Sequence, residues 1–207
     1  MSYRWRQETS PITSLLVLQR AIVDCGFEII GTSNLMEKII LARQRVSNST
    51  NTEEKITAYD ELAKLIKECN ETSQLPELII LDKFELQLKN YRYVVKGYSP
   101  DSSKSQELAA IDAIRKLNNS YRKIANNLQD ELEDAMASSS DLKLRQTLVK
   151  LVKLEQESYK TSVKAAKEKI FQIIQENAKK EGYSVKRNVF TKGKNAGREQ
   201  YVVVKRS

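Results

Sequence analysis

Between Tyr183 and Lys205, three aromatic residues, Tyr183, Phe190 and Tyr201, are interleaved with six cations, Lys186, Arg187, Lys192, Lys194, Arg198 and Lys205. Cations so spaced can neutralise phosphates of a polyanion or meet the carboxylates of an acidic protein, and neighbouring aromatic rings can stack on unpaired bases. The same alternation arises in any hairpin that lays one face on a helix and leaves a basic face in solvent. These nine residues form the candidate site for a polyanion or a protein partner.

The rest of the sequence argues against catalysis. It contains no histidine, so the commonest general base, proton shuttle and metal ligand is missing. Cys25 and Cys69 lie far apart and lack metal-ligand spacing. None of the six glycines belongs to a dinucleotide fingerprint or a P-loop. Lys192-Gly193-Lys194-Asn195-Ala196-Gly197 has the composition of a phosphate cradle but no helix after it, and reads as a hairpin turn. The acidic residues Glu131, Glu133 and Asp134 interleave with the core positions Leu128, Leu132 and Ala135, as a solvated helix face does. No enzyme activity, metal or cofactor is expected.

The formal charge of +8 is unevenly placed. Residues 179–207 hold nine bases and two acids, whereas the preceding 178 residues hold 26 bases and 25 acids. A local positive field of this kind attracts polyanions or acidic surfaces. There is no apolar run of the roughly 20 residues needed to span a bilayer, and no secretory h-region follows the basic N-terminus. The expected location is the cytoplasm, with both cysteines as reduced thiols and the triplets at Asn48, Asn70 and Asn118 unglycosylated.

The elements that must position the candidate site follow from periodicity. Residues 13–25 place Leu15, Leu18, Ile22 and Cys25 on one stripe, and Gly26 stands where a glycine ends a helix. Residues 27–30 read as a short strand. Ser33 or Asn34 caps a second helix to Val46, with Leu35, Ile39, Ile40 and Arg43 on one stripe. Thr52 opens a third, with Ile56, Tyr59, Leu62, Ala63, Ile66 and Cys69 inward. Residues 75–97 fit a helix on the heptad Leu81, Phe84, Leu88, Tyr91, Val95. They also fit two strands joined at Lys89-Asn90, and the β-branched and aromatic content favours strands.

Beyond a linker at residues 99–105, two amphipathic helices follow. The first keeps Leu108, Ile111, Ile114, Leu117, Tyr121, Ile124, Leu128, Leu132 and Ala135 at steps of three and four. The run Ala137-Ser138-Ser139-Ser140-Asp141 breaks it, and Asp141 can cap the second, which carries Leu144, Leu148, Leu151, Tyr159, Val163, Ala166, Ile170, Ile173 and Ile174. Two stripes joined by so short a turn predict an antiparallel helical hairpin. Tyr59, Tyr91, Tyr121 and Tyr159 fall on core stripes and are expected to pack.

After Gly182, Tyr183 and Val185, then Val189-Phe190 across a register change, make a strand, and Tyr201-Val202-Val203-Val204 make its return. Because two strands alone are marginal in water, this hairpin is expected to dock on the core and complete a sheet with residues 27–30 and 84–95. The segments Cys25-Gly26-Phe27-Glu28-Ile29 and Gly182-Tyr183-Ser184-Val185 with Val202-Val203-Val204-Lys205-Arg206 resemble the two ends of an uncharacterised family of small bacterial and plastid proteins. That resemblance implies an α+β core and carries over no binding or catalytic residue.

The expected fold class is therefore α+β, predominantly helical, with a small antiparallel sheet core and a long projecting antiparallel helical hairpin. Its parts are residues 1–103, the hairpin at 104–181 and the basic β-hairpin at 182–207. The expected role is a non-enzymatic interaction or adaptor protein, a subunit of a larger assembly with a protein partner. Nucleic-acid binding through the basic hairpin is the alternative, and self-association is assigned to the helical hairpin.

Overall fold

The computed structural model describes residues 8–72, 75–96, 104–191 and 198–205. It is α+β and mostly helical: α1 (Leu15–Asp24), β1 (Ile29–Gly31), α2 (Asn34–Asn48), α3 (Thr52–Thr72), β2 (Leu78–Leu81), β3 (Glu85–Lys89), β4 (Arg92–Lys96), α4 (Lys104–Asn127), α5 (Asp130–Ala137), α6 (Leu142–Lys180), β5 (Tyr183–Val189) and β6 (Glu199–Lys205). The chain divides into two compact units, Met1–Val163 and Lys164–Ser207, and the division runs through α6. No described helix is long and apolar enough to cross a membrane. Of the expected linker at residues 99–105, residues 99–103 lie outside the described residues and residues 104–105 open α4.

In the first unit, α1 is the centre. Leu15, Leu16, Val17, Leu18, Ala21 and Ile22 are all buried, so α1 must be covered on nearly every side. Ser14 caps it by accepting from the Val17 N–H, and Gly26, at φ 75°, ends it in the left-handed region that glycine adopts without strain. The α4 residues Ala110, Ile114 and Leu117 join the same core. Polar ties fix the register between α4 and the chain around α1. The Tyr121 hydroxyl accepts from the Thr13 and Ser14 N–H groups at 3.1 and 3.0 Å. Ser120 Oγ donates to Asp24 at 2.6 Å.

Residues 75–96 hold strands, as favoured, but three of them, β2, β3 and β4, rather than two. The sheet order is β1-β2-β3-β4, antiparallel throughout. Ile79, Leu81, Leu86, Tyr93 and Val95 point into the helical core, one face of a half-buried sheet. The Tyr93 hydroxyl, wholly buried, donates to the Pro76 carbonyl at 2.7 Å. The β3–β4 turn is Asn90-Tyr91 rather than Lys89-Asn90. Both residues have positive φ, 49° and 62°, as a two-residue type I′ hairpin requires. Asparagine tolerates that conformation, whereas tyrosine does not signal it, so the sequence pattern put the turn one residue early. Tyr91 sits in the turn, only partly buried, and its carbonyl accepts from the Ile12 N–H.

The helical hairpin turns where expected, with the Asp141 side chain capping α6 through the Leu144 N–H at 2.9 Å. Its first arm is two helices, not one. Gln156 of α6 donates to the Leu128 carbonyl at 2.5 Å, and the Leu132 N–H, which would bond that carbonyl in an unbroken helix, turns to Gln129 instead. A side chain entering the backbone ladder makes the break, which apolar periodicity cannot register.

The expectation that the C-terminal hairpin completes the core sheet is not met: β5 and β6 pair only with each other. Leu151 is 5 % exposed within the main core cluster. Leu151→Ala should lower stability by about 2–5 kcal/mol, the range of large-to-small core changes, measured by urea denaturation. A loss under about 1 kcal/mol would mean that this stripe is not core.

Candidate functional site

The candidate site is built in the second unit, where seven residues of β5 pair with seven of β6 from Tyr183↔Lys205 to Val189↔Glu199. The pairing is continuous, without the expected register change. Strand alternation divides the side chains. Tyr183, Val185, Arg187 and Val189 share a face with Lys205, Val203, Tyr201 and Glu199. Ser184, Lys186 and Asn188 share the other with Val204, Val202 and Gln200, and the Phe190–Arg198 hydrogen bond continues it.

The middle of the first face, at Arg187 and Tyr201, lies against α6, while Val189 and Val203 stay exposed. Val185 is buried. The Phe171 and Tyr201 rings stack at 5.5 Å with 22° between planes, and the Arg187 guanidinium sits over Phe171 at 5.4 Å. Arg187 donates to Glu168 at 2.7 Å and to Glu199 at 2.9 Å. The Tyr201 hydroxyl donates to the other Glu199 oxygen at 3.0 Å. This is a closed set: one cation, two carboxylates and two rings.

The electrostatics follow. The Glu168 hydrogen bond, followed by the field and hydrogen bond of Glu199, raises the Arg187 pKa. The Tyr201 hydrogen bond, ahead of Arg187, lowers that of Glu199, and desolvation with the Glu199 contact raises that of Tyr201. Two of the nine candidate residues, Arg187 and Tyr201, are thus engaged inside the unit. Tyr183 shares their face and is half-buried.

The second face is different. Lys186, Arg198 and Phe190 are exposed on it, beside Val204. Among the described residues neither Lys186 nor Arg198 has a carboxylate within ion-pair distance. Lys205 is exposed at the strand end. Lys192 and Lys194 lie outside the described residues.

Sequence reasoning missed a second charge cluster, in the first unit. Glu155 is 6 % exposed. It accepts from Arg20 at 3.2 Å and from Arg43 at 2.7 Å. Arg20 also binds Glu131, in a bidentate pair. Glu131 therefore is not on a solvated face, as expected from its neighbours, because α1 brings a cation to it. The signal was present: Arg43 and Glu155 both stand at core positions of apolar stripes, with opposite signs. Each charge is compensated by the other helix, and the cluster reads as a structural clamp among α1, α2, α5 and α6. Among the described residues no three of His, Cys, Asp and Glu converge on a metal-sized space. Burial pushes the Cys69 thiol up to about 11, which leaves it a poor nucleophile.

Glu199 supplies a check on the closed set. A carboxyl whose folded pKa is depressed contributes stability above its unfolded pKa and loses it as pH falls through the folded value. Glu199 should therefore titrate below its ordinary 4.5, followed by carboxyl-resolved NMR. Tyr201→Phe should move that midpoint upward; an unchanged midpoint would remove the hydroxyl as the cause.

No protein-family model, no curated protein and no solved structure matches this chain. The functional reading therefore rests on the chemistry of the site itself.

Proposed function

We propose that this chain is a non-enzymatic interaction protein, an adaptor or subunit of a larger assembly, whose basic hairpin captures an acidic protein surface. The observation that carries this reading is the division of the hairpin into an engaged face and a free one. Lys186 and Arg198 stand beside exposed Phe190 and Val204, so the free face offers cations and apolar surface together. Exposed apolar groups rimmed by charge are the mark of protein contact surfaces.

The alternative, single-stranded nucleic acid, calls for rings on which bases can stack. Tyr201 is already stacked on Phe171, and Tyr183 lies on the same side. Phe190 alone of the three aromatics stands with the free cations, and this favours the protein reading. The absence of histidine supports a role without acid–base chemistry. In this reading the protein works in the cytoplasm, where Cys25 and Cys69 stay reduced.

The test compares the wild type with Lys186→Glu/Arg198→Glu. Both side chains are exposed, so the fold should be retained, as circular dichroism would verify. Proteins captured from nuclease-treated lysate should be retained by the wild type and lost by the variant. A labelled single-stranded oligonucleotide should bind feebly, near the non-specific range of about 10⁻⁴–10⁻⁶ M. Tight oligonucleotide binding, with a salt slope of about −0.7 per phosphate contact and abolished in the variant, would replace the protein reading with the nucleic-acid one.

A further inference from the structure

The two sheets treat their edges differently. An unpaired strand edge is a template for another chain, and folded proteins blunt it with short strands, charges, proline or a covering segment. In the four-stranded sheet, β1 is three residues long, and residues 8–12 run along β4, bonding Tyr93 and Tyr91. In the hairpin, β5 carries Lys186 and Arg187 at its middle. β6 has no such guard. Between Glu199 and Lys205 it reads Gln-Tyr-Val-Val-Val, with Val203 and Val204 exposed by 59 % and 44 %.

The phase of the ladder says which backbone groups are free. The Phe190 N–H donates to the Arg198 carbonyl at 3.0 Å, which makes that pair a hydrogen-bonded one. Alternation then makes Asn188/Gln200, Lys186/Val202 and Ser184/Val204 hydrogen-bonded pairs as well. Glu199, Tyr201, Val203 and Lys205 consequently direct their N–H and C=O groups away from β5. Among the described residues no hydrogen bond is made to these outward groups.

We propose that two copies of this protein associate by pairing β6 with β6, antiparallel, about a two-fold axis through Val202. That axis sets each outward-directed residue against another: Tyr201 opposite Val203 of the second copy, and Glu199 opposite its Lys205. An ion pair closes each end, and aromatic–valine pairs flank the centre, the cross-strand combinations that stabilise sheets. Moving the axis to Tyr201 sets Glu199 against a valine, and moving it to Val203 sets Lys205 against a tyrosine. The result is a continuous four-stranded sheet from two hairpins, with the unpaired edge of each β6 closed. The pairing edge is distinct from the free basic face, so this association does not depend on the proposed capture of an acidic partner.

Sedimentation of the full chain over a concentration series tests the proposal. The wild type should show a monomer–dimer equilibrium. Val203→Pro removes an outward N–H and no β5–β6 ladder bond. It should weaken association by about tenfold or more, the scale of one or two hydrogen bonds. Val189→Pro, on the outer edge of β5, should leave the dimer unchanged. Val202→Cys meets its own copy across the axis at about 4.5 Å between Cα atoms, within disulfide reach. It should form a covalent dimer on mild oxidation, and Gln200→Cys should not. Lys186→Glu/Arg198→Glu should dimerise normally, which separates this outcome from loss of partner capture. A chain that stays monomeric at every concentration, or a dimer indifferent to Val203→Pro, overturns the proposal; so does a monomer whose β6 binds only an unrelated strand peptide.

Discussion

Helix α1 has ten residues and scarcely a polar side, and much of the first unit can be understood as what it takes to enclose it. A helix buried from Leu15 to Ile22 on most of its sides must be covered by elements distant in sequence, which also supply partners for its cation. α4 supplies the apolar cover through Ala110, Ile114 and Leu117, and Tyr121 receives the N–H groups just ahead of the helix. Arg20 cannot be left uncompensated in such a place. Glu131 and Glu155 answer it, and Glu155 in turn binds Arg43 of α2. One buried helix thus dictates the placement of four others.

Those parts of the fold that depend on period and punctuation were legible in the sequence. Ser33 and Asp141 cap helices as their type and position imply, and Gly26 ends α1, which starts two residues later than expected, at Leu15 behind a Ser14 cap. The parts that depend on one side chain reaching a distant backbone were not. Gln156 interrupts the ladder at Leu128 from 28 residues away, and nothing local marks that carbonyl as accepting elsewhere. Tyr91 at positive φ is another such case, because a β-propensity reading assigns tyrosine to a strand and not to its turn. The docking of the hairpin on the core sheet was inferred from the instability of two isolated strands; that need is met instead, within the second unit, by Phe171 and Glu168.

At the candidate site, composition was legible and allocation was not. Nine residues were singled out because aromatic and basic types alternate there, and alternation alone could not say which face meets the helix. The register decides: Arg187 of β5 lies with Tyr201 against α6, and Lys186 lies on the opposite face. Arg187 illustrates the difference between carrying a charge and presenting one. With Glu168 and Glu199 both in contact, its field is largely cancelled before it reaches a partner.

The segment at residues 8–12 has a bearing on biogenesis. It is made before β4, and the Thr9 and Tyr93 backbones that it joins are separated by 84 residues of chain. During ribosomal synthesis this stretch emerges long before the strand it will seal, and it must wait, unpartnered, until β4 leaves the exit tunnel. The border of the sheet therefore cannot close before β4 has emerged. Proteolytic trimming ahead of Leu15 would leave every helix and strand in the sequence, yet uncover β4 and turn a sealed border into a site of intermolecular accretion.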